Sequence, residues 1–98
     1  MESITVKISA ILTIKEVLGQ GSVEFSMPQG STVHDTLLSM SKKWGKKLAS
    51  LLFNPDGSLL PYIRVMVNGR DLEFLENKIE TVVQEGDEIL ILPPVAGG

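Results

Sequence analysis

Apolar residues recur along this chain with two different spacings. Residues 4–9 alternate strictly, which predicts a strand with Ile4, Val6 and Ile8 facing a core. Residues 14–18 read as a short connector closed by Gly19 and Gly21. Val23, Phe25 and Met27 then alternate again, so a second strand is expected to return against the first as an antiparallel hairpin. In "STVHDTLLSMSKKWG" the period changes. Val33, Leu37, Met40 and Trp44 fall on one face of a helix. Thr32 is the expected N-cap with Asp35 completing a capping box, and Gly45 is placed to end the helix in a left-handed conformation. "KKLASLLF" adds a further turn or two through Leu48, Leu51 and Leu52.

After the turn signal "NPDGS", residues 62–67 predict a third strand, with Ile63, Val65 and Val67 on one face and Tyr62, Arg64 and Met66 on the other. Asn68-Gly69 signals a tight hairpin into a short fourth strand at "RDLEF". "LENKIETVV" reads as a loop with a helical turn, and "EGD" turns into residues 88–92. That last strand is apolar on both faces, with Ile89 and Ile91 on one and Leu90 and Leu92 on the other, as expected of a strand in mid-sheet. It should lie beside the first strand, with Leu90 and Leu92 pointing outward near Met66. The order of elements is that of a β-grasp, or ubiquitin-like, α+β roll. Four to five strands of a mixed sheet pack on one main helix, and a flexible C-terminal Gly-Gly tail follows. The expected division is a domain over residues 1–92 and an extended tail over residues 93–98.

Composition narrows the chemistry. Ninety-eight residues, 43% of them hydrophobic, support one domain with a core of its own. A formal charge of −3 argues against nucleic acid, which needs a concentrated basic footprint. With no cysteine, disulfides, thiolate metal sites, cysteine nucleophiles and side-chain persulfides are excluded. No apolar run approaches a membrane span, no signal peptide precedes the first strand and no Asn-x-Ser/Thr acceptor occurs, so no membrane partner is expected and the default location is cytoplasmic. "GQG" lacks the lysine and helix start of a phosphate-cradling loop, so no cofactor is expected on the chain and any ATP belongs to a partner.

The ending, "ILILPPVAGG", holds the candidate chemistry. Pro93 and Pro94 cannot extend a sheet ladder and favour polyproline II, so the tail is expected to leave the sheet stiffly. Six extended residues reach roughly 20 Å. Gly97 and Gly98, without β-carbons, suit a narrow channel. At the end stands an α-carboxylate, ionised at neutral pH. It is a poor electrophile but a competent nucleophile toward the α-phosphate of ATP. A separate enzyme could convert it to an acyl-adenylate, after which a sulfur donor yields a thiocarboxylate and an amine yields an amide. The plain alternative is a frayed terminus, since many chains finish in unstructured glycine or serine.

"GDEILILPPVAGG", following "YIRVMVNG", resembles the C-terminal signature of the ubiquitin-like sulfur carriers, and most of all the small subunit of molybdopterin synthase and its archaeal-type relatives. "ITVKISAIL" and "GSTVHDTLLSM" extend the resemblance over nearly the whole chain. It implies an activation cycle with two partners. A ubiquitin-activating-type adenylyltransferase uses ATP to activate the terminus, and the molybdopterin synthase large subunit, or another sulfur-accepting enzyme, consumes the sulfur. By matching positions, Gly98 would bear the adenylate and then the thiocarboxylate. Gly97, Ala96 and Val95, behind Pro94 and Pro93, would be threaded into the partner, and Leu92 would sit in the docking surface; the outward face of the last strand adds Leu90 and Met66 to the expected contact. The chain is not expected to be a complete enzyme alone.

Other branches stay open. The thiamine-pathway carrier shares the Gly-Gly but lacks a comparable "PPV", whereas a carrier feeding cysteine synthesis is similar through "VNGRDLEF" and the ending. "FNPDGSLLPYIRV" is longer than its counterpart in bacterial molybdopterin carriers. A protein modifier that forms isopeptide bonds, or a plain interaction module, are the readings outside sulfur transfer. Lys42, Lys43, Lys46 and Lys47 read as a solvated face complementing a negative helix end, or as a dock for an acidic partner. Seven of the twelve acidic residues lie from Asp71 onward. His34 is expected to be exposed and has no partner at metal-ligand spacing, and Trp44 belongs to the core stripe.

Overall fold

The computed structural model describes residues 2–94. Strand β1 (Ser3–Ala10) runs antiparallel to β2 (Ser22–Pro28), so that Ile4, Val6 and Ile8 lie opposite Met27, Phe25 and Val23. The final strand β5 (Glu88–Leu92) lies parallel to β1, with Ile8 opposite Ile89 and Ala10 opposite Ile91. On its other side it pairs antiparallel with β3 (Arg64–Val67), whose hairpin partner β4 (Arg70–Asp71) forms the edge. The sheet order is β2-β1-β5-β3-β4, with the chain's last strand at its centre. This is the β-grasp arrangement.

One face of the sheet is covered by helices α1 (Leu12–Leu18), α2 (Val33–Trp44) and α3 (Lys46–Leu52). Val6, Ile8, Ile89 and Ile91 are completely buried together with Val33, Leu37 and Met40 of α2, Leu48 and Leu52 of α3, and Ile14 of α1. Each such side chain contributes about 1.5–3 kcal/mol of transfer free energy. The capping box at α2 is complete. The Asp35 N–H donates to Thr32 Oγ1 at 3.0 Å, and the Thr32 N–H donates to Asp35 Oδ2 at 3.0 Å.

Several expectations are corrected. Residues 14–18 are no mere connector but most of helix α1, because Ile14 and Leu18, one turn apart, both enter the core. α3 is a helix of its own. Gly45 ends α2 at the expected positive φ of 83°, but with ψ at −164° instead of the αL value, and it starts α3 as well. Its N–H donates to the Ser41 carbonyl while its own carbonyl accepts from Leu48 and Ala49. The third strand begins at Arg64 and not Tyr62, since the Ile63 N–H is taken by the Leu60 carbonyl in a turn around Pro61. The fourth strand stops at Asp71. There the carboxylate accepts the Glu73 N–H at 3.0 Å and bends the chain into a 3₁₀ turn over Leu72–Phe74, which buries Leu72. The helical turn expected in "LENKIETVV" is a 3₁₀ turn over Lys78–Glu80.

Trp44 is half-buried at the rim of the core, its ring 6.0 Å from that of Phe25. Lys43 lies over this pair, its ammonium 5.0 Å from the Trp44 centroid, a cation–π contact that employs one of the four clustered lysines. His34 is half-buried and not exposed. Its Nε2 donates to the Gly57 carbonyl at 3.2 Å, and its Nδ1 lies 3.8 Å from Glu80.

Candidate functional site at the end of the central strand

The pleat of β5 sends successive side chains to opposite faces. Ile89 and Ile91 go inward, and Leu90 and Leu92 go to the face that carries no helix, where both are half-buried. The register places Leu90 between Ser9 of β1 and Met66 of β3, and Leu92 opposite Arg64. Leu90, Leu92 and Met66 therefore form one apolar strip in mid-sheet, the set the sequence placed together.

Two ion pairs frame the strip on the same face. Lys7 reaches Glu88 at 3.3 Å, and Arg64 donates to Asp71 Oδ2 from Nη2 at 2.8 Å and from Nε at 3.0 Å. The Glu73 N–H and then the Arg64 guanidinium hold the Asp71 carboxyl below its ordinary range. The Lys7–Glu88 pair, exposed at both ends, adds little stability, while Asp71 of the second pair is largely covered. The place of both pairs around an apolar centre gives the face a polar rim, the composition of a protein-contact surface. Sequence reading missed these pairings, although Lys7 and Glu88 at the polar positions of neighbouring strands were the available signal.

The hairpin behind the strip is fixed by its turn. Asn68 and Gly69 have φ of 51° and 84°, both left-handed, as a two-residue hairpin turn of the I′ kind requires. The Asn68 side chain also reaches the start of β5. It accepts the Glu88 N–H at 2.9 Å and donates to Asp87 at 2.9 Å. The register of β3 against β5, and with it the pairing of Met66 with Leu90, is tied at that end.

Beyond Leu92 the inward alternation continues for one more residue. Pro93 is buried, where the sequence had it as the first step of an extended riser. It lines a hollow of about 190 Å³ with Thr13, Ile14, Ser50, Leu51, Tyr62 and Ile63. Its ring thus closes one end of the core, and exposure begins at Pro94. Val95, Ala96, Gly97 and Gly98 lie outside the described residues. Among the described residues, no group of three or more His, Cys, Asp or Glu side chains is gathered as metal ligands, and no helix is long and apolar enough to cross a membrane.

The model of the ThiS family matches residues 11–98. Small archaeal modifier protein 3 of Haloferax volcanii is 34% identical over 86 residues, covering 88% of this chain and 90% of its own. A protein of Archaeoglobus fulgidus assigned as a sulfur carrier is 40% identical over 81 residues, covering 83% of this chain and 89% of its own. The solution structure of small archaeal modifier protein 1 from Methanosarcina acetivorans superposes with a TM-score of 0.80 at 31% identity, over 100% of both chains.

Proposed function

The chain belongs to the ThiS family of ubiquitin-like sulfur carriers and modifiers, and from that premise we propose that it carries sulfur as a thiocarboxylate on Gly98. The observation that carries this reading is the position of β5. A strand hydrogen-bonded on both sides brings the chain to the surface at Pro94, four residues before Gly98, beside an apolar strip framed by charge.

The chemistry follows from a carboxylate. An oxygen of the Gly98 carboxylate attacks the α-phosphorus of ATP bound on an adenylyltransferase, and pyrophosphate leaves. The acyl-adenylate carbonyl, no longer anionic, accepts a sulfur nucleophile at the sulfide level. AMP departs with the electron pair of the broken C–O bond, and a thiocarboxylate remains. This protein supplies the carboxylate, a tail without β-carbons at its last two positions, and a docking face at Leu90, Leu92 and Met66. ATP and the sulfur donor belong to the partners. We propose molybdopterin synthesis as the destination, with the synthase large subunit threading Val95, Ala96 and Gly97. The resemblance of "ILPPVAGG" to the small subunit of that synthase supports this choice.

A second reading has support of its own, because two of the similar proteins bear the name of archaeal modifiers. In that reading a lysine amine takes the place of sulfide and an isopeptide bond results. One experiment tests both. The protein is incubated with ATP and a ubiquitin-activating-type adenylyltransferase, and pyrophosphate release and intact mass are followed. Pyrophosphate release, then the mass gain of one oxygen replaced by sulfur when sulfide is added, is expected. Adducts the mass of whole proteins would instead favour the modifier. Deleting Gly98, or appending one alanine, is expected to abolish activation, and full activation of either variant overturns the proposal.

A further inference from the structure

Three of the six large apolar side chains that stand exposed among the described residues sit at one end of the sheet. Ile11 is 40% exposed, Leu12 51% and Tyr62 55%. The strand registers bring them together. Ala10 lies opposite Ile91 in the parallel pair, so Ile11 follows β1 at the level of Leu92, and Leu12 turns from there into α1. Arg64 lies opposite Leu92 in the antiparallel pair, so Tyr62 precedes β3 beside Pro94, and both line the hollow that Pro93 closes. Tyr62 thus stands with exposed Pro94 where the chain leaves the fold, at the same end of the sheet as Ile11 and Leu12. Leu12 also holds φ at +55°, the left-handed region that L-residues avoid. A large apolar residue kept in such a conformation and left exposed marks a place to look for function.

We infer that Ile11, Leu12, Tyr62 and Pro94 form a collar on which the adenylating enzyme seats the apolar rim of its active-site entrance. The inference rests on the functional reading above, and adds a contact surface at the end of the sheet to the strip on its open face. Reach carries it. Four residues follow Pro94, and at 3.3 Å each they span about 13 Å. An enzyme that holds Gly98 in its reaction centre must bring its surface within that distance of Pro94, where it covers the collar. The collar carries no charge, and a charged rim left unpaired against it would lose hydration without compensation. The partner surface is therefore apolar.

The test measures adenylation rate against carrier concentration for the unaltered protein and a Leu12→Gly, Tyr62→Ser double variant. Glycine at position 12 relieves the positive φ, so that change removes the side chain without straining the backbone. KM for the carrier is expected to rise by about tenfold or more with kcat unchanged, as when binding uniform to ground and transition states is lost. Val82→Ser, also exposed but bridged to Thr32 near the opposite end of the sheet, is expected to keep the unaltered KM. A double variant within about twofold of the unaltered KM overturns the collar alone, and so does a loss confined to kcat. Absence of any adenylate from the unaltered protein overturns the functional reading and the collar with it. Circular dichroism checks the fold. Should the double variant unfold, Tyr62→Ser alone decides, with a rise of about threefold expected and an unchanged KM refuting.

Discussion

Leu90 and Ile91 are neighbours in one strand with opposite tasks, and truncating each in turn separates them. Ile91 is 0% exposed within the core beneath the helices. Ile91→Ala removes buried atoms from a site walled by β1, β3 and the helix layer, which leaves little room for collapse, so about 3 kcal/mol of stability is expected to go. Unfolding entropy near 2.1 cal/mol/K per residue gives roughly 0.2 kcal/mol/K for 98 residues. The melting temperature should therefore fall by about 15 °C. Leu90 is half-buried between Ser9 and Met66 on the open face, and Leu90→Ala should cost about 1 kcal/mol, or about 5 °C. Affinity for the docking partner is expected to move the other way, falling about tenfold for Leu90→Ala and little for Ile91→Ala. Thermal and urea unfolding followed by circular dichroism read the first pair of numbers, and titration calorimetry the second. Equal destabilisation by the two variants would show that both faces of β5 are packed, and the docking strip would not exist.

Two further outcomes test local features. Thr32→Ala should lower stability by about 1 kcal/mol and speed amide exchange in the first turn of α2, because the Asp35 N–H loses its acceptor and half of the capping box goes; unchanged exchange there would show the box to be dispensable. Asp71, whose folded pKa lies below its ordinary 3.8 because of the Glu73 N–H and Arg64, favours folding only while ionised. Its contribution is present above the unfolded value and is lost as pH falls through the folded one. The stability difference between the unaltered protein and Asp71→Asn should therefore be constant at neutral pH and shrink below about pH 4, and a difference that stays constant into strong acid refutes the assignment.

Where pattern was long, it was legible. β1, β2 and α2 were readable because each has three or more apolar positions at one period, which is what core burial selects, and β5 because it is apolar on both faces. The misread elements are short. α1 offers only two buried side chains, Ile14 and Leu18, too few to establish a helical period, and its start at Leu12 takes a conformation leucine seldom adopts. β4 ends where it does because one carboxylate oxygen of Asp71 captures a backbone N–H, an event with no period at all. The apolar strip on the open face was legible because a central strand is apolar on both faces. The ion pairs around it were not, since they depend on which strands become neighbours.

By itself, then, the sequence determined the fold class, the inward residues of the central strand and the chemical character of the ending, because periodicity, proline and glycine act locally. Tertiary structure alone decided what surrounds that ending. The antiparallel register of β3 with β5 brings Tyr62 beside Pro94, and the parallel register of β1 with β5 brings the start of α1, 50 positions earlier in the chain, to the same end of the sheet. The same registers put Pro93 under cover. Contacts between distant segments come from the pairing of strands across the sheet, and no local pattern in the chain encodes them.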